Sequence, residues 1–393
     1  MILPLEGIKV LDLSGMLPGP FCTQILADYG AEVIKIEDQI GDRARHMSPF
    51  IDEQGALFYA VNRNKQSIAL DLRRAEGKAI FMKLMTKSDV IVDVFRPGVM
   101  DKLGLSYEAL KKVNPGIIYC ALNGFGSTGP YAQTAAHDLN ILSLAGITGL
   151  TGAKDGLPGI SPVQLAGAAG GSLYAVIAIL IALHNRQKTG LGQFCDVSML
   201  DGVISLLAYT LAEWSGEQKL PERGNAFLTG AYAFYQIYET SDHKYISLGA
   251  IESKFWQEFC RIIGKAEYGV EQWNMELQGE MIAGISTVIK TKTQAAWLDM
   301  FASFNICLTP VLSLDEMAEH PQVKARNAIV KLENFQYSGK DMFLGGLPIQ
   351  FSDTPGAIKT SFPENGQHTA EILSKAGYST EEIEWFKISG IVY

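Results

Sequence analysis

The chain has 393 residues, 47% of them apolar and 19% charged, which is enough apolar material for a large core and too little charge for a disordered chain. Its 33 Lys and Arg against 42 Asp and Glu leave a net charge of −9. That sign argues against nucleic acid as a partner, and a polyanionic ligand needs a local basic pocket. Five Cys, scattered and without a CxxC, point away from a disulfide framework or zinc site and towards a reducing cytoplasm.

Residues 1–13 lack the basic start and small-residue cleavage site of a signal peptide. Residues 8–13, Ile-Lys-Val-Leu-Asp-Leu, read as a buried strand, with Gly19 and Pro20 punctuating the chain behind it. Residues 21–29 have helical apolar spacing and stop at Gly30. Further strands are expected at 31–36, 66–72, 89–95 and 116–122, with helices at 74–87 and 107–113. This alternation predicts an α/β fold, a Rossmann-like, doubly wound parallel sheet with ligands beyond the carboxyl ends of its strands.

Residues 139–211 are apolar and read as helix-rich. Within them, 156–183 carry no charge and are long enough to span a membrane. Pro158, Pro162 and the Gly/Ala-rich middle leave an apolar core of only 173–183, so a buried helix is expected and no membrane. The aromatic stretch 231–249 reads as a hairpin turning at Asp242-His243, and 253–263 and 276–289 as helices. The expected division is a large domain at 1–215, a linker at 216–230, a small α+β domain at 231–325 and a C-terminal return to the large domain at 326–393. A last helix is expected near 369–376.

A dinucleotide fingerprint needs GxGxxG between the first strand and first helix. The turn there is Ser14-Gly-Met-Leu-Pro-Gly-Pro20, whose prolines remove donors a pyrophosphate uses. Gly124-Phe-Gly126-Ser-Thr-Gly129 does match, but Pro130 and polar residues follow it instead of a helix. The string signals either a loop folding over a ligand or a tight turn at a strand end. His137-Asp138 is either a tuned proton-transfer site or a histidine satisfied by a backbone carbonyl. Adjacent residues do not face each other on a helix, so Asp138 need not touch His137. Glu252 is either an acid/base group reaching a cleft or a carboxylate stabilised by a helix dipole. Arg43, Arg45, Arg63, Lys65, Arg73, Arg74, Arg96 and Lys102 are either a cationic pocket along one sheet edge or ordinary solvated surface.

Taken together, these segments resemble family III CoA-transferases, the carnitine and bile-acid CoA-transferase superfamily that includes α-methylacyl-CoA racemases. The resemblance runs nearly end to end. It passes through Val10-Leu-Asp-Leu with Gly19-Pro20, Ala27-Asp-Tyr-Gly-Ala-Glu-Val-Ile-Lys-Ile-Glu37 and Asn64-Lys-Gln-Ser-Ile-Ala-Leu-Asp71. It continues through Phe95-Arg-Pro-Gly98, Gly124 to Pro130, His137-Asp138, Thr189-Gly-Leu-Gly-Gln193 and Ile306-Cys-Leu-Thr-Pro-Val311. The racemase branch looks nearest, its proton-transfer His and Glu falling on His137 and Glu252.

One departure matters most. Both branches use an aspartate, as nucleophile in the transferases and as base in the racemases, and its position here falls on Gly167 in Gln164-Leu-Ala-Gly-Ala-Ala-Gly-Gly171. No carboxylate lies between Asp155 and Asp196, and glycine can neither attack nor accept a proton. The resemblance implies an interlocked dimer of two-domain chains and a CoA thioester as substrate, with no tightly bound cofactor and no metal. Positions matching the family's CoA contacts are Met16, Leu70, Arg73, Lys102 and Leu103. Arg96 is a nearby cation, and Gly124 and Gly126 belong to the adjoining loop. Asp38 stands where a related enzyme has an arginine. With Gly167 in place of the aspartate, the resemblance implies a subunit of a heteromeric CoA-transferase moving CoA between carboxylic acids, its homologous partner carrying the aspartate. Two other readings stay open: an α-methylacyl-CoA racemase-type enzyme using His137 and Glu252, and a non-catalytic acyl-CoA-binding protein.

Overall fold

Six short runs, four of them rich in Val, Ile and Leu, pair side by side with most of their residues buried. The computed structural model describes residues 2–359 and 361–393. The strands are β1 (Lys9–Leu13), β2 (Glu32–Glu37), β3 (Lys65–Ala69), β4 (Val90–Asp93), β5 (Ile118–Asn123) and β6 (Phe194–Ser198). They form one parallel sheet in the order β3-β2-β1-β4-β5-β6, with Val10 paired to both Val33 and Val90. This is the doubly wound sheet that the alternation predicts. Each face carries its own apolar layer, one around Leu11, Ile68 and Phe81, the other around Val10, Leu26 and Ile179. Burial on both faces is what selects near-continuous β-branched runs.

β6 corrects the helix-rich reading of 139–211. In it Phe194 and Asp196 are exposed while Cys195 and Val197 are buried. It closes one end of the sheet, and its two-residue period is too short to stand out between helices. α1 (Pro18–Asp28) starts three residues before the expected Phe21. Pro18 opens it because the first helical position has no amide partner to lose and proline presets its φ.

α2 (Asp138–Leu144) follows the glycine string after eight residues. A π-helical stretch, Ala166–Leu173, runs into α3 (Tyr174–Thr189). Together they are the one helix among the described residues long and apolar enough to cross a membrane, and half of its most apolar window is buried in the protein. Ala175, Ile179 and Ala182 pack inwards, whereas Leu173, Ile177, Leu180 and Ile181 are exposed. α4 (Met199–Ser205) follows β6 directly.

The chain divides into two compact units, one of residues 1–145, 161–208 and 322–393, the other of residues 146–160 and 209–321. The second unit holds an antiparallel sheet of β7 (Tyr235–Glu239), β8 (Tyr245–Gly249) and β9 (Leu308–Val311), with β8 central. β7 and β8 are the expected hairpin, with His243 in left-handed backbone at its turn. α5 (Ser253–Ile262) and α6 (Gln278–Ile289) close this unit's core around Trp256, Phe259 and Trp297. Near the C-terminus α7 (Thr369–Lys375) lies where a last helix is expected, but α8 (Thr380–Ile388) follows it. Ser379 and Glu382 form a capping box that opens α8, a signal present in the sequence.

Candidate active site

The chain runs outwards from β1 through β2 to β3, then returns to the other side of β1 to lay down β4, β5 and β6. The connections leaving β1 and β4 therefore diverge, and such a switch point leaves a crevice beyond the strand ends. A cavity of about 690 Å³ lies there. Gly15, Met16, Leu17 and Pro18 line it after β1, Val94, Arg96 and Pro97 after β4, and Leu122 to Phe125 at the end of β5. Thr134 to Asp138, Gln164 and Gly167 complete much of the wall.

His137 and Asp138 thus share the cavity with Gly167. His137 sits in extended backbone just before α2, with φ −116° and ψ 175°, and its N–H donates to the Asn140 side chain at 3.0 Å. Asp138 is the first residue of α2, and its Oδ1 accepts the Gly167 N–H at 2.8 Å. A Cβ added at Gly167 would lie 3.7 Å from that oxygen and 3.4 Å from Leu17, so the wall has room for a side chain there. Asp138 is the one carboxylate lining this cavity among the described residues.

The glycine string resolves into a tight turn that also faces the cavity. The Asn123 side chain accepts from the N–H groups of Phe125 and Gly126, and the N–H and hydroxyl of Ser127 bond Asp196 on β6. Gly126 and Gly129 have φ of +83° and +87°, where a Cβ is disfavoured. Gly124 lines the cavity, whereas Gly126 turns the chain away from it.

Behind the cavity wall lies a buried charge network. Lys65 Nζ pairs with Asp12 at 3.0 Å, Lys35 Nζ with Asp42 at 2.8 Å, and Arg45 forks onto Glu37 at 2.7 and 2.8 Å. Burial by itself would raise the Asp12 carboxyl, but Lys65, Lys35 and the hydroxyls of Ser14 and Thr23 outweigh it and hold it well below the usual range. Burial brings Lys65 down to about 8. By contrast, Arg43 and Arg96 are exposed on the cavity wall, with no ion-pair or hydrogen-bond partner for either guanidinium among the described residues.

The other expected contact positions lie further along the same edge of the sheet. Leu70 and Arg73 follow β3, two strands from β1 and so about 10 Å away. The Leu70 side chain is buried in the core, and Arg73 is 80% exposed while forking onto Asp71. Lys102 and Leu103 follow β4 on a short helical turn, Lys102 exposed and Leu103 half-buried. Glu252 belongs to the second unit, where it is exposed just before α5 and makes no side-chain cap bond. Among the described residues no three His, Cys, Asp or Glu groups gather where a metal ion would sit.

Some residues of the site carry no sequence signal of their own. Arg43 reads as one of eight scattered cations. Asn123 is one polar residue at the end of an apolar run. A second pocket, of about 170 Å³, also borders Arg96 and Asn123 and is backed by Asp93 and Tyr119. Burial lifts the Asp93 carboxyl to about 6, although the Tyr119 hydroxyl and the Phe95 N–H both donate to it.

Comparison with known proteins adds three findings. CoA-transferase family III matches residues 5–369. The chain is 36% identical to the α-methylacyl-CoA racemase of Homo sapiens over 387 residues, covering 96% of this chain and 95% of that one. It is 33% identical to a formyl-CoA:oxalate CoA-transferase of Escherichia coli over 416 residues, covering 98% and 99%. A CAIB/BAIF family protein from Brucella suis superimposes with a TM-score of 0.84 at 32% identity, covering 96% of this chain and all of that one.

Proposed function

The chain belongs to CoA-transferase family III, and from that premise we propose that it binds an acyl-CoA thioester on its larger unit and moves CoA between carboxylic acids as one of two unlike chains. Relatives that it resembles over nearly their whole length are named for CoA transfer from formyl-CoA to oxalate and for α-methylacyl-CoA racemisation. Binding is supported by the switch-point cavity with its free Arg43 and Arg96. These cations, with Lys102 along the same edge, make charge-assisted hydrogen bonds to the phosphates of CoA. The elongated ligand runs from the cavity towards Leu70 and Arg73. Five free thiols, four of them buried, suit a reducing cytoplasm.

The observation that carries the two-chain reading is Gly167. In the transfer reaction a carboxylate oxygen attacks the thioester carbonyl, the C–S bond breaks and CoA leaves as thiolate. Gly167 offers no such oxygen, and Asp138 already holds the Gly167 N–H. A homologous chain with Asp at the matching position supplies the nucleophile, in an interlocked pair that covers Leu173, Ile177, Leu180 and Ile181. Calorimetry with CoA tests the binding, and no heat at millimolar CoA would refute it. Gly167→Asp tests the division of labour: transferase activity switched on in the lone chain would show a homomer that has lost its nucleophile, not half of a pair.

A second reading is favoured by His137 and Asp138 lining the same cavity. His137 then exchanges the α-proton of an acyl-CoA. Deuterium uptake from heavy water into a 2-methylacyl-CoA, abolished by His137→Ala, would select it.

A further inference from the structure

Asp42 does not line the cavity, yet it is bonded to two stretches that do. The first is the turn after β1, which carries Gly15, Met16 and Leu17. Met16 has φ +66°, left-handed backbone that any residue with a Cβ adopts unwillingly. Its N–H donates to Asp42 Oδ1 at 2.9 Å. The second is the 3₁₀ turn Arg43–His46, whose Ala44 N–H donates to the same oxygen at 2.9 Å and which brings Arg43 to the cavity.

The carboxylate is itself fixed from behind. Its Oδ2 pairs with Lys35 Nζ at 2.8 Å, and both side chains are fully buried. Lys35 also donates to the Ser14 carbonyl at 2.7 Å, gripping the same turn from its other end. The Asp42 N–H donates to Glu37 Oε2 at 2.8 Å. Burial alone would drain the Lys35 charge, but Asp12, Asp42 and Glu37 more than offset it, so the lysine stays charged. Backbone strain at Met16 persists only where its surroundings over-determine it, and the Met16 N–H bond to Asp42 is one such restraint.

We propose that Asp42 is a positioning residue for ligand binding, one buried carboxylate that sets both the apolar contact at Met16 and the cation at Arg43. The choice of CoA as probe rests on the acyl-CoA reading above. Asp42→Ala then weakens CoA binding about tenfold by calorimetry. In a Met16→Gly, Arg43→Gln background the same change costs less than twofold, because the groups it positions are already gone. A lower melting temperature with unchanged affinity, or full additivity in that cycle, would overturn the proposal.

Of two further measurements, the first needs no Asp42 variant to fold and the second needs no ligand. Glycine takes φ +66° freely and valine resists it, so Met16→Gly binds CoA at least threefold more tightly than Met16→Val. A simple loss of apolar contact predicts the reverse order, and that result would overturn the proposal. The Met16 methyl signal in ¹³C-methionine spectra should shift in Asp42→Asn without any ligand; an unmoved signal overturns the proposal as well. Failure of the unsubstituted chain to bind CoA would instead refute the acyl-CoA reading, and the methyl signal would still decide the role of Asp42.

Discussion

Asp93 ends β4 with its carboxyl buried against Tyr119, and among the described residues no cation faces it closely enough to offset the burial. Its pKa stands at about 6, against an ordinary 3.8. An acid raised in this way binds more protons folded than unfolded, so stability falls as pH rises from about 4 to about 6 and then levels off. Asp93→Asn keeps the shape and can still pair with the Phe95 N–H and the Tyr119 oxygen. It should therefore stabilise the protein by about 3 kcal/mol at pH 7.5, and by much less at pH 4.5. Denaturant unfolding at the two pH values checks this, and an equal effect at both would exclude burial of the charge as the cause. The residue-scale chemistry was unevenly legible. Gly167 drew notice in the sequence only through the family resemblance. Its hydrogen bond to Asp138 did not, because 29 residues separate the two and only the fold brings them together.

The π-helical stretch Ala166–Leu173 and α4 meet backbone to backbone. A Cβ on Gly202 would fall 2.1 Å from the Gly170 carbonyl oxygen, and one on Gly170 would fall 2.7 Å from the Met199 carbonyl oxygen. Neither contact involves a flexible side chain that can move aside. Gly202→Ala should therefore cost about 3 kcal/mol, at the upper end of overpacking effects, seen as a lower denaturation midpoint with an unchanged slope. Gly279→Ala, with open space around its Cβ position in α6, serves as the control and should not lower stability. A loss at Gly202 no larger than that at Gly279 would show that the two segments separate easily. At this scale the strands were readable wherever burial on both faces made continuous apolar runs. β6 was not, because it is an edge strand of only five residues, two of them exposed, between two helical stretches.

Four of the five tryptophans, Trp214, Trp256, Trp273 and Trp297, lie in the second unit, and only Trp385 lies in the first. Fluorescence therefore reports mainly on the unit that, on the proposed function, does not hold the nucleotide end of CoA. A ligand at one hundred times its Kd stabilises the unit that binds it by about 2.7 kcal/mol. For a unit of this size that is a shift of roughly 5 °C. Saturating CoA should move the calorimetric transition of the larger unit by that amount and the tryptophan transition by less than half of it. Equal shifts would mean that the two units unfold together.

The sequence by itself determined the parallel α/β sheet and the aromatic hairpin. Each of these rests on local information: strand–helix periodicity or turn residues. Only the tertiary structure decided that Arg43 and Arg96 are free cations on one cavity while Arg45, Arg63 and Lys65, alike in sequence, are locked in buried pairs. It also decided that the cavity lies at the switch point and that Asp42 grips the turn at Met16. The physical reason is that a charge acquires its role from the partners that burial leaves it, and those partners come from strands and turns 8 to 53 residues away.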